Sequence, residues 1–157
     1  MPPAQSSQQA GSPDDPLRRA MLDMHNSTRR EVGAQPLQWD KALAAKASDY
    51  ARRLAETGRF EHSRQQGSAY PYGENLWEGT RGHYSYAEMA QHWIDEKHNY
   101  RGGEITMAEV NQTGHYTQII WRETTHLGCG VASSPNYDVL VCRYSPAGNV
   151  LGERPGG

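Results

Sequence analysis

Four ionisable side chains stand where the surrounding sequence pattern argues against free solvation: His62, Glu74, Glu96 and His115. His62 and Glu74 lie in a long segment without regular periodicity. Glu96 falls on the apolar stripe of a predicted helix, and His115 opens an apolar run. A polar ring or a carboxylate is costly to bury unless it has partners. The four residues are therefore candidates for one shared site.

Two imidazoles and two carboxylates can form three kinds of site. The imidazoles could hold a divalent metal, with the carboxylates as their supports or as a base. The set could instead act as a general acid/base pair without metal. It could also be a buried hydrogen-bonded network that ties the long segment to the core. No two of the four lie within one helical turn, so spacing alone leaves all three open.

The apolar run that carries His115 extends from Gly114 to Trp121. Its side chains alternate, with His115, Thr117 and Ile119 on one side and the residues between them on the other. This alternation predicts a strand with His115 at its mouth. Two more strands are predicted at 127–132 and 138–144.

Periodic apolar residues and end signals predict three helices, at about 16–32, 41–57 and 86–99. The stretch from Arg59 to Tyr84, about 26 residues, has no regular pattern and is predicted as a functional loop. Helices segregated from strands predict an α+β fold, in which the helices pack against a small antiparallel sheet.

Length and composition limit the possible classes of protein. The chain has 157 residues, enough for one domain with a core, and a net charge of -2. It has no basic stripe, so we do not expect a nucleic-acid partner. No apolar stretch approaches the roughly 20 residues needed to span a bilayer. We predict a disordered leader over 1–15, one domain over 16–150 and a flexible tail over 151–157, and we expect a monomer.

Two cysteines, Cys129 and Cys142, flank a turn-like segment. They could form a disulfide between neighbouring strands, or they could be two free buried thiols. A two-cysteine metal site is not expected, because no C-x2-C spacing is present.

Several motifs in order resemble the CAP superfamily of cysteine-rich secretory proteins, antigen five and pathogenesis-related proteins. The diagnostic motif is Gly114-His115-Tyr116-Thr117-Gln118-Ile119-Ile120-Trp121 with Leu127-Gly128-Cys129-Gly130. The other matching segments are Met24-His25-Asn26 with Arg29, Pro36-Leu37-Gln38-Trp39-Asp40, His62-Ser63, Gly73-Glu74-Asn75-Leu76, Trp93 with Glu96 and Asn99-Tyr100, and Val141-Cys142-Arg143-Tyr144-Ser145-Pro146-Ala147-Gly148-Asn149. The resemblance covers about 17–149.

The resemblance implies a three-layer α-β-α sandwich with a central cleft. The family's cleft tetrad maps onto His62, Glu74, Glu96 and His115, the four residues that the pattern had isolated. In the family the two imidazoles often bind a divalent metal, commonly zinc. The resemblance places Gln118 near the same cleft, which Tyr72 could also line.

The resemblance also implies a secreted or periplasmic protein, which favours the disulfide between Cys129 and Cys142. The first 16 residues contain no signal peptide, and we expect that such a segment has been removed. The implied function is a binding or defence module, with a sterol, a lipid or a protein as ligand. The alternative is a zinc-dependent, peptidase-like hydrolase, with His62 and His115 as ligands and Glu74 or Glu96 as general base.

Overall fold

The computed structural model describes Ser12, residues 14–63 and residues 72–156. The elements in these ranges follow the order α1 (Pro16–Glu31), β1 (Gln38–Trp39), α2 (Lys41–Thr57), β2 (Gly73–Thr80), α3 (Tyr86–Ile94), α4 (Met107–Ile120), β3 (His126–Ser133) and β4 (Tyr137–Ser145). A 3₁₀ turn, Asp95–Asn99, continues α3.

The predicted helix boundaries are largely confirmed, because the local signals act as expected. The Asp40 carboxylate accepts hydrogen bonds from the backbone of Ala42 and Leu43 and so caps α2. Gly58 ends α2 in the left-handed conformation, at φ 72°. A complete capping box opens α3. Pro16 starts α1 as predicted, although the side chain of Asp15 makes no cap hydrogen bond.

The four strands form one sheet in the order β1-β3-β4-β2. β2, β4 and β3 are antiparallel, whereas β1 runs parallel to β3. The sheet is therefore mixed, not purely antiparallel as predicted. The difference is confined to the two residues of β1, which lie beside β3 just before the chain turns into α2.

The helices cover both faces of this sheet, which confirms the α-β-α sandwich. One face packs against α1, α3 and α4, with a core that includes Met21, Met89 and Leu140. The other face packs against α2 through Ala47, Ala51 and neighbouring residues. Small residues of β3 let α2 lie close, since a Cβ at Gly128 or Gly130 would overlap the α2 backbone.

The predicted strand over Gly114–Trp121 is wrong: this segment is the second half of α4. Its residues are buried on nearly every side, so the apolar periodicity did not distinguish a helix from a strand. The Thr106-x-x-Glu109 pattern is the signal that could have revealed the helix, because Thr106 accepts a hydrogen bond from the Glu109 backbone.

Buried Arg29 of α1 secures the end of α4. Its guanidinium donates to the carbonyls of Ile119 and Trp121 at 2.9 and 2.8 Å. Burial lowers the pKa of Arg29 to about 10, so the group stays charged at neutral pH. A cation at a helix C-terminus satisfies carbonyls that have no partner within the helix.

The predicted functional loop over 59–84 is also wrong in part, because Gly73–Thr80 is strand β2. Both faces of β2 are covered near its start, where Asn75, Leu76 and Trp77 are all buried. The strand therefore shows no alternation of polar and apolar residues. Residues 64–71 of the predicted loop lie outside the described residues.

The structure describes little of the predicted leader and most of the predicted tail. Residues 1–11 and Pro13 of the leader lie outside the described residues. In the tail, the backbone of Gly152 donates to Ile105, and that of Arg122 donates to Pro155. Among the described residues, no helix combines the length and the apolar character needed to cross a bilayer.

The disulfide between Cys129 and Cys142 is confirmed. The two residues stand directly opposite each other on β3 and β4, and both side chains lie in the core beside Met21. The bond closes a short loop with a sequence separation of 13.

Replacing both cysteines, as Cys129→Ala/Cys142→Ala, should lower the free energy of unfolding by about 3 kcal/mol. The cause is the greater chain entropy of the unfolded state once the loop is open. Urea unfolding of both proteins, in the absence of reductant, measures the difference. An unchanged midpoint and slope would show that the bridge contributes nothing to stability.

Candidate functional site

The first histidine–glutamate pair joins the segment after α2 to the start of β2. His62 donates from Nδ1 to Glu74 Oε1 at 2.9 Å. The His62 side chain is 63% exposed, whereas that of Glu74 is only 4% exposed. The carboxylate is therefore the buried anchor of this pair, and the imidazole lies at the surface.

Glu74 is held by more than His62. Its oxygens also accept hydrogen bonds from the backbone N–H and the hydroxyl of Ser63, at 2.9 and 2.6 Å, and from Arg143 Nε at 3.2 Å. Burial raises the pKa of Glu74, but the bonds from His62 and Ser63 and the charge of Arg143 outweigh burial and bring the pKa below its usual value. Glu74 is thus an ionised acceptor with four donors.

The second pair joins the 3₁₀ turn to α4. His115 donates from Nδ1 to Glu96 Oε2 at 2.7 Å, and the backbone N–H of Tyr116 donates to Glu96 Oε1 at 3.0 Å. The His115 ring stacks on buried Trp93, with ring centroids 5.9 Å apart and planes at 14°. These contacts fix both the plane and the rotation of the imidazole.

In both imidazoles, Nδ1 is hydrogen-bonded to a carboxylate. An ionised carboxylate can only accept hydrogen bonds. In each neutral ring the proton therefore sits on Nδ1 and the lone pair is on Nε2. No hydrogen bond to either Nε2 is found among the described residues. The arrangement matches the carboxylate–histidine support that orients metal-binding imidazoles.

β2 links the two pairs, because its neighbouring residues Glu74 and Asn75 point to opposite faces of the sheet. Glu74 belongs to the first pair. The Asn75 amide donates to the backbone carbonyl of His115 at 3.0 Å and to the Tyr144 hydroxyl at 3.1 Å. The strand thus holds one pair directly and positions the helix that carries the other.

A buried histidine extends this link to α1. His25 is fully buried, donates from Nδ1 to the Met21 carbonyl, and accepts at Nε2 from the Tyr144 hydroxyl, both at 2.7 Å. Burial lowers the pKa of His25 to about 4, so the ring is neutral at pH 7. His25 is therefore a structural residue rather than a surface proton donor.

Two other residues that the sequence placed at the cleft make local contacts. Gln118 is 2% exposed, donates to Thr124 and accepts from the Gly148 backbone. Its amide also lies against Gly73, where a Cβ would overlap it. Tyr72 packs against Lys46 of α2, with the ammonium 5.3 Å from the ring centroid. Both contacts flank the start of β2.

The sequence interpretation named Ser63, Asn75 and Arg143 only as parts of matching motifs and gave none of them a part in holding the pairs. The structure shows Ser63 as a double donor to Glu74. Arg143 is a cation at the end of an apolar strand, and that contrast is the signal that could have identified it as a partner for a buried carboxylate.

Acidification below pH 6.5 should destabilise the fold through His25. Its folded-state pKa is lower than that of the unfolded chain, so the unfolded state binds more protons and stability falls as pH decreases. Between pH 7 and pH 5 we expect a loss of about 2 kcal/mol. Urea unfolding across this range measures it, with His25→Gln as the comparison. An equal pH dependence in both proteins would assign the loss to other groups.

Glu74→Gln should lower the free energy of unfolding by about 2–4 kcal/mol, since it leaves the nearly buried Arg143 without its counter-ion. Glu78→Gln is the matched control, because Glu78 lies exposed on the same strand. The Glu74 contribution is present above the unfolded pKa and lost as pH falls through the lowered folded pKa, so the two variants should converge in acid. Equal stabilities at pH 7 would contradict this role.

Comparisons with known proteins identify the family. The model of the cysteine-rich secretory protein family, CAP, matches residues 22–144. Pathogenesis-related protein 1A of Nicotiana tabacum is 41% identical over 135 residues, which cover 85% of this chain and 77% of that protein. Pathogenesis-related protein 1 of Arabidopsis thaliana is 39% identical over 145 residues, with coverages of 92% and 82%.

Solved structures agree with this assignment. A structure of NaASP2 with Zn²⁺ superposes with a TM-score of 0.77 at 26% identity, and covers 92% of this chain and 89% of that one. Venom allergen-like protein 4 of Schistosoma mansoni gives a TM-score of 0.63 at 26% identity, with coverages of 88% and 92%. By sequence and by fold, this chain belongs to the cysteine-rich secretory protein (CAP) family.

Proposed function

We propose that this chain is a secreted binding module of the defence type, in which His62 and His115 hold a divalent metal, with zinc as the first candidate. The relatives named pathogenesis-related proteins, at about 40% identity, support the defence assignment. The disulfide supports secretion, because such bonds persist in oxidising compartments. The Zn²⁺ in the NaASP2 structure supports the choice of metal.

The orientation of the two imidazoles carries the proposal. Each Nδ1 is engaged by a carboxylate, which leaves each Nε2 with a lone pair and without a protein partner among the described residues. Imidazole nitrogen is a preferred zinc ligand, and an acceptor behind the ring raises its basicity. Glu74 and Glu96 would orient the two imidazoles through their hydrogen bonds with Nδ1.

The protein ligands available would occupy only some of the coordination positions of a metal ion. Among the described residues, no group of three or more His, Cys, Asp and Glu side chains is placed to hold one ion. Two imidazoles would leave the remaining coordination positions to water or to a bound ligand. A metal there would act as a Lewis acid toward such a ligand.

The geometry supports binding better than hydrolysis. A general base needs a free lone pair near the bound water. Glu74 accepts four hydrogen bonds and is almost fully buried, and both oxygens of Glu96 accept from α4. In the proposed module, a sterol, a lipid or a protein is recognised by the domain surface, and the metal joins His62 of the exposed segment to α4.

Zinc should raise the melting temperature of the protein by several degrees, because a ligand that binds only the native state stabilises it by mass action. At a zinc concentration of about 100 times Kd, the gain is about 2.7 kcal/mol. Thermal unfolding with and without zinc at pH 7.5 measures the shift. The shift should shrink at pH 5.5, where protons compete for imidazole.

The decisive comparison is between two double variants. His62→Ala/His115→Ala should abolish the zinc shift, whereas His83→Ala/His98→Ala, which removes two exposed histidines that are not proposed ligands, should retain it. If zinc changes neither protein, or stabilises the first variant as much as the parent, the pairs are a hydrogen-bonded network without metal.

A further inference from the structure

A groove of about 1300 Å³ runs along the outer edge of β3, and none of the four histidine–glutamate residues lines it. Its walls come from the start of α1, from α2, and from the segment around Tyr84 and Tyr86 at the start of α3. Cys129 and Val131 of β3 form part of its floor. The groove therefore follows a stretch of strand edge that lies between two helical layers.

This strand edge lacks a neighbouring strand over most of its length. β1 pairs with β3 only at His126 and Leu127, because the chain turns into α2 after Trp39. The Leu127 carbonyl accepts from the Asp40 backbone on this side. Because a strand repeats every two residues, the backbone N–H and C=O groups of Cys129 and Val131 point to the same side of β3 as the Leu127 carbonyl, toward its open edge. No β-strand of the described ranges pairs with them there.

Two buried side-chain atoms on the groove lining also lack a hydrogen-bond partner within the part of the chain that the structure describes. They are the acceptor Asp15 Oδ1 and the donor Trp39 Nε1. Asp15 is 5% exposed, although it occupies the N-cap position where its carboxylate could have capped α1. Leaving such groups unpaired costs about 1–3 kcal/mol each. An acceptor and a donor without partners in one groove indicate a ligand that carries both complementary groups.

Near Tyr86, one end of the groove carries two carboxylates, Asp15 and Asp138. The lining also holds the cations Lys41 and Arg81, and the Arg81 guanidinium donates to the Ser134 carbonyl. Burial raises the pKa of the Tyr86 hydroxyl, and the negative charges of Asp15 and Asp138 raise it further, as expected if both carboxylates lie close to that hydroxyl. A positively charged group would be favoured at this end.

We propose that the groove binds an extended peptide segment as an added strand on β3, in line with β1, with a lysine or arginine side chain held by Asp15 and a carbonyl held by Trp39 Nε1. Peptides added to a sheet edge gain affinity from backbone hydrogen bonds and specificity from pockets for alternate side chains. The backbones of Cys129 and Val131 would provide the hydrogen bonds. The apolar wall of Leu17, Tyr86 and Met89 would receive side chains.

A peptide fits these features better than an acyl chain. The groove presents donors and acceptors at strand spacing, a buried carboxylate and a buried indole N–H. An acyl chain would cover the apolar wall but would leave these polar groups buried and unpaired. A basic peptide satisfies them together. The site is separate from the histidine–glutamate pairs, so its test is independent of the zinc test.

The probes are seven acetylated, amidated heptapeptides of alternating threonine and valine, each with lysine at a different position. Binding to the ¹⁵N-labelled full chain is followed by two-dimensional ¹H–¹⁵N NMR. We expect saturable binding with a Kd below about 1 mM for the peptide in which lysine reaches Asp15. The amide signals of Cys129 and Val131 and the indole signal of Trp39 should shift with saturation.

Three comparisons isolate the contacts. Asp15→Asn should weaken the best peptide about tenfold, and norleucine in place of its lysine should do the same on the parent protein. Asp14→Asn is the matched control, because Asp14 lies at the same helix end but points to solvent toward Arg19, and it should leave binding unchanged. Methylation of the peptide's backbone nitrogens should abolish binding.

The peptide variants leave the protein intact, so instability of Asp15→Asn cannot obscure the result. If none of the seven peptides shifts Cys129 or Val131 at about 1 mM, the proposal fails. It fails equally if the norleucine or methylated peptides bind as tightly as the lysine peptide. If vesicles containing palmitate shift these signals while no peptide does, the groove is a lipid site instead.

Discussion

The hydroxyl of Tyr144 is the point at which the layer of α1 and α4 is joined to the sheet. It is fully buried on β4, donates to His25 of α1 and accepts from Asn75 of β2. Asn75 in turn holds the backbone of His115 in α4. A buried polar network adds stability only if every member has a partner. Here each group has one, so the same bonds that tie α1 to the sheet also set the position of the helix that carries the site.

The two histidine–glutamate pairs differ in their surroundings although they have the same chemistry. Glu74 is buried, charged and compensated by Arg143, whereas Glu96 is partly exposed and held by the backbone of α4. His62 lies at the surface and His115 is stacked on Trp93. One imidazole is thus rigidly placed and the other is held mainly through its carboxylate. In the proposed metal site, this asymmetry would let the segment that carries His62 meet an ion or a ligand.

The sequence was sufficient to predict features that depend on local chemistry. The caps of α2 and α3 and the sandwich fold follow from signals a few residues long or from family motifs, and the pairing of Cys129 with Cys142 was one of two open alternatives. The predictions failed where contacts between distant parts of the chain determine the secondary structure or the position of a side chain. Gly114–Trp121 is buried on nearly every side, so its periodicity did not separate a helix from a strand. β2 is buried on both faces over Asn75–Trp77, and Arg143 is placed by strand pairing that no short motif encodes.

The alternation of side chains along β2 has a consequence for how the site is assembled. Glu74 and Asn75 are neighbours in sequence, yet each serves a different layer of the sandwich. A slip of β2 by one residue against β4 would send each side chain to the wrong layer. A misaligned strand would then lose the partner of His62 and the anchor of His115 in one step. Both imidazoles therefore have their supporting contacts only when β2 is correctly aligned with β4.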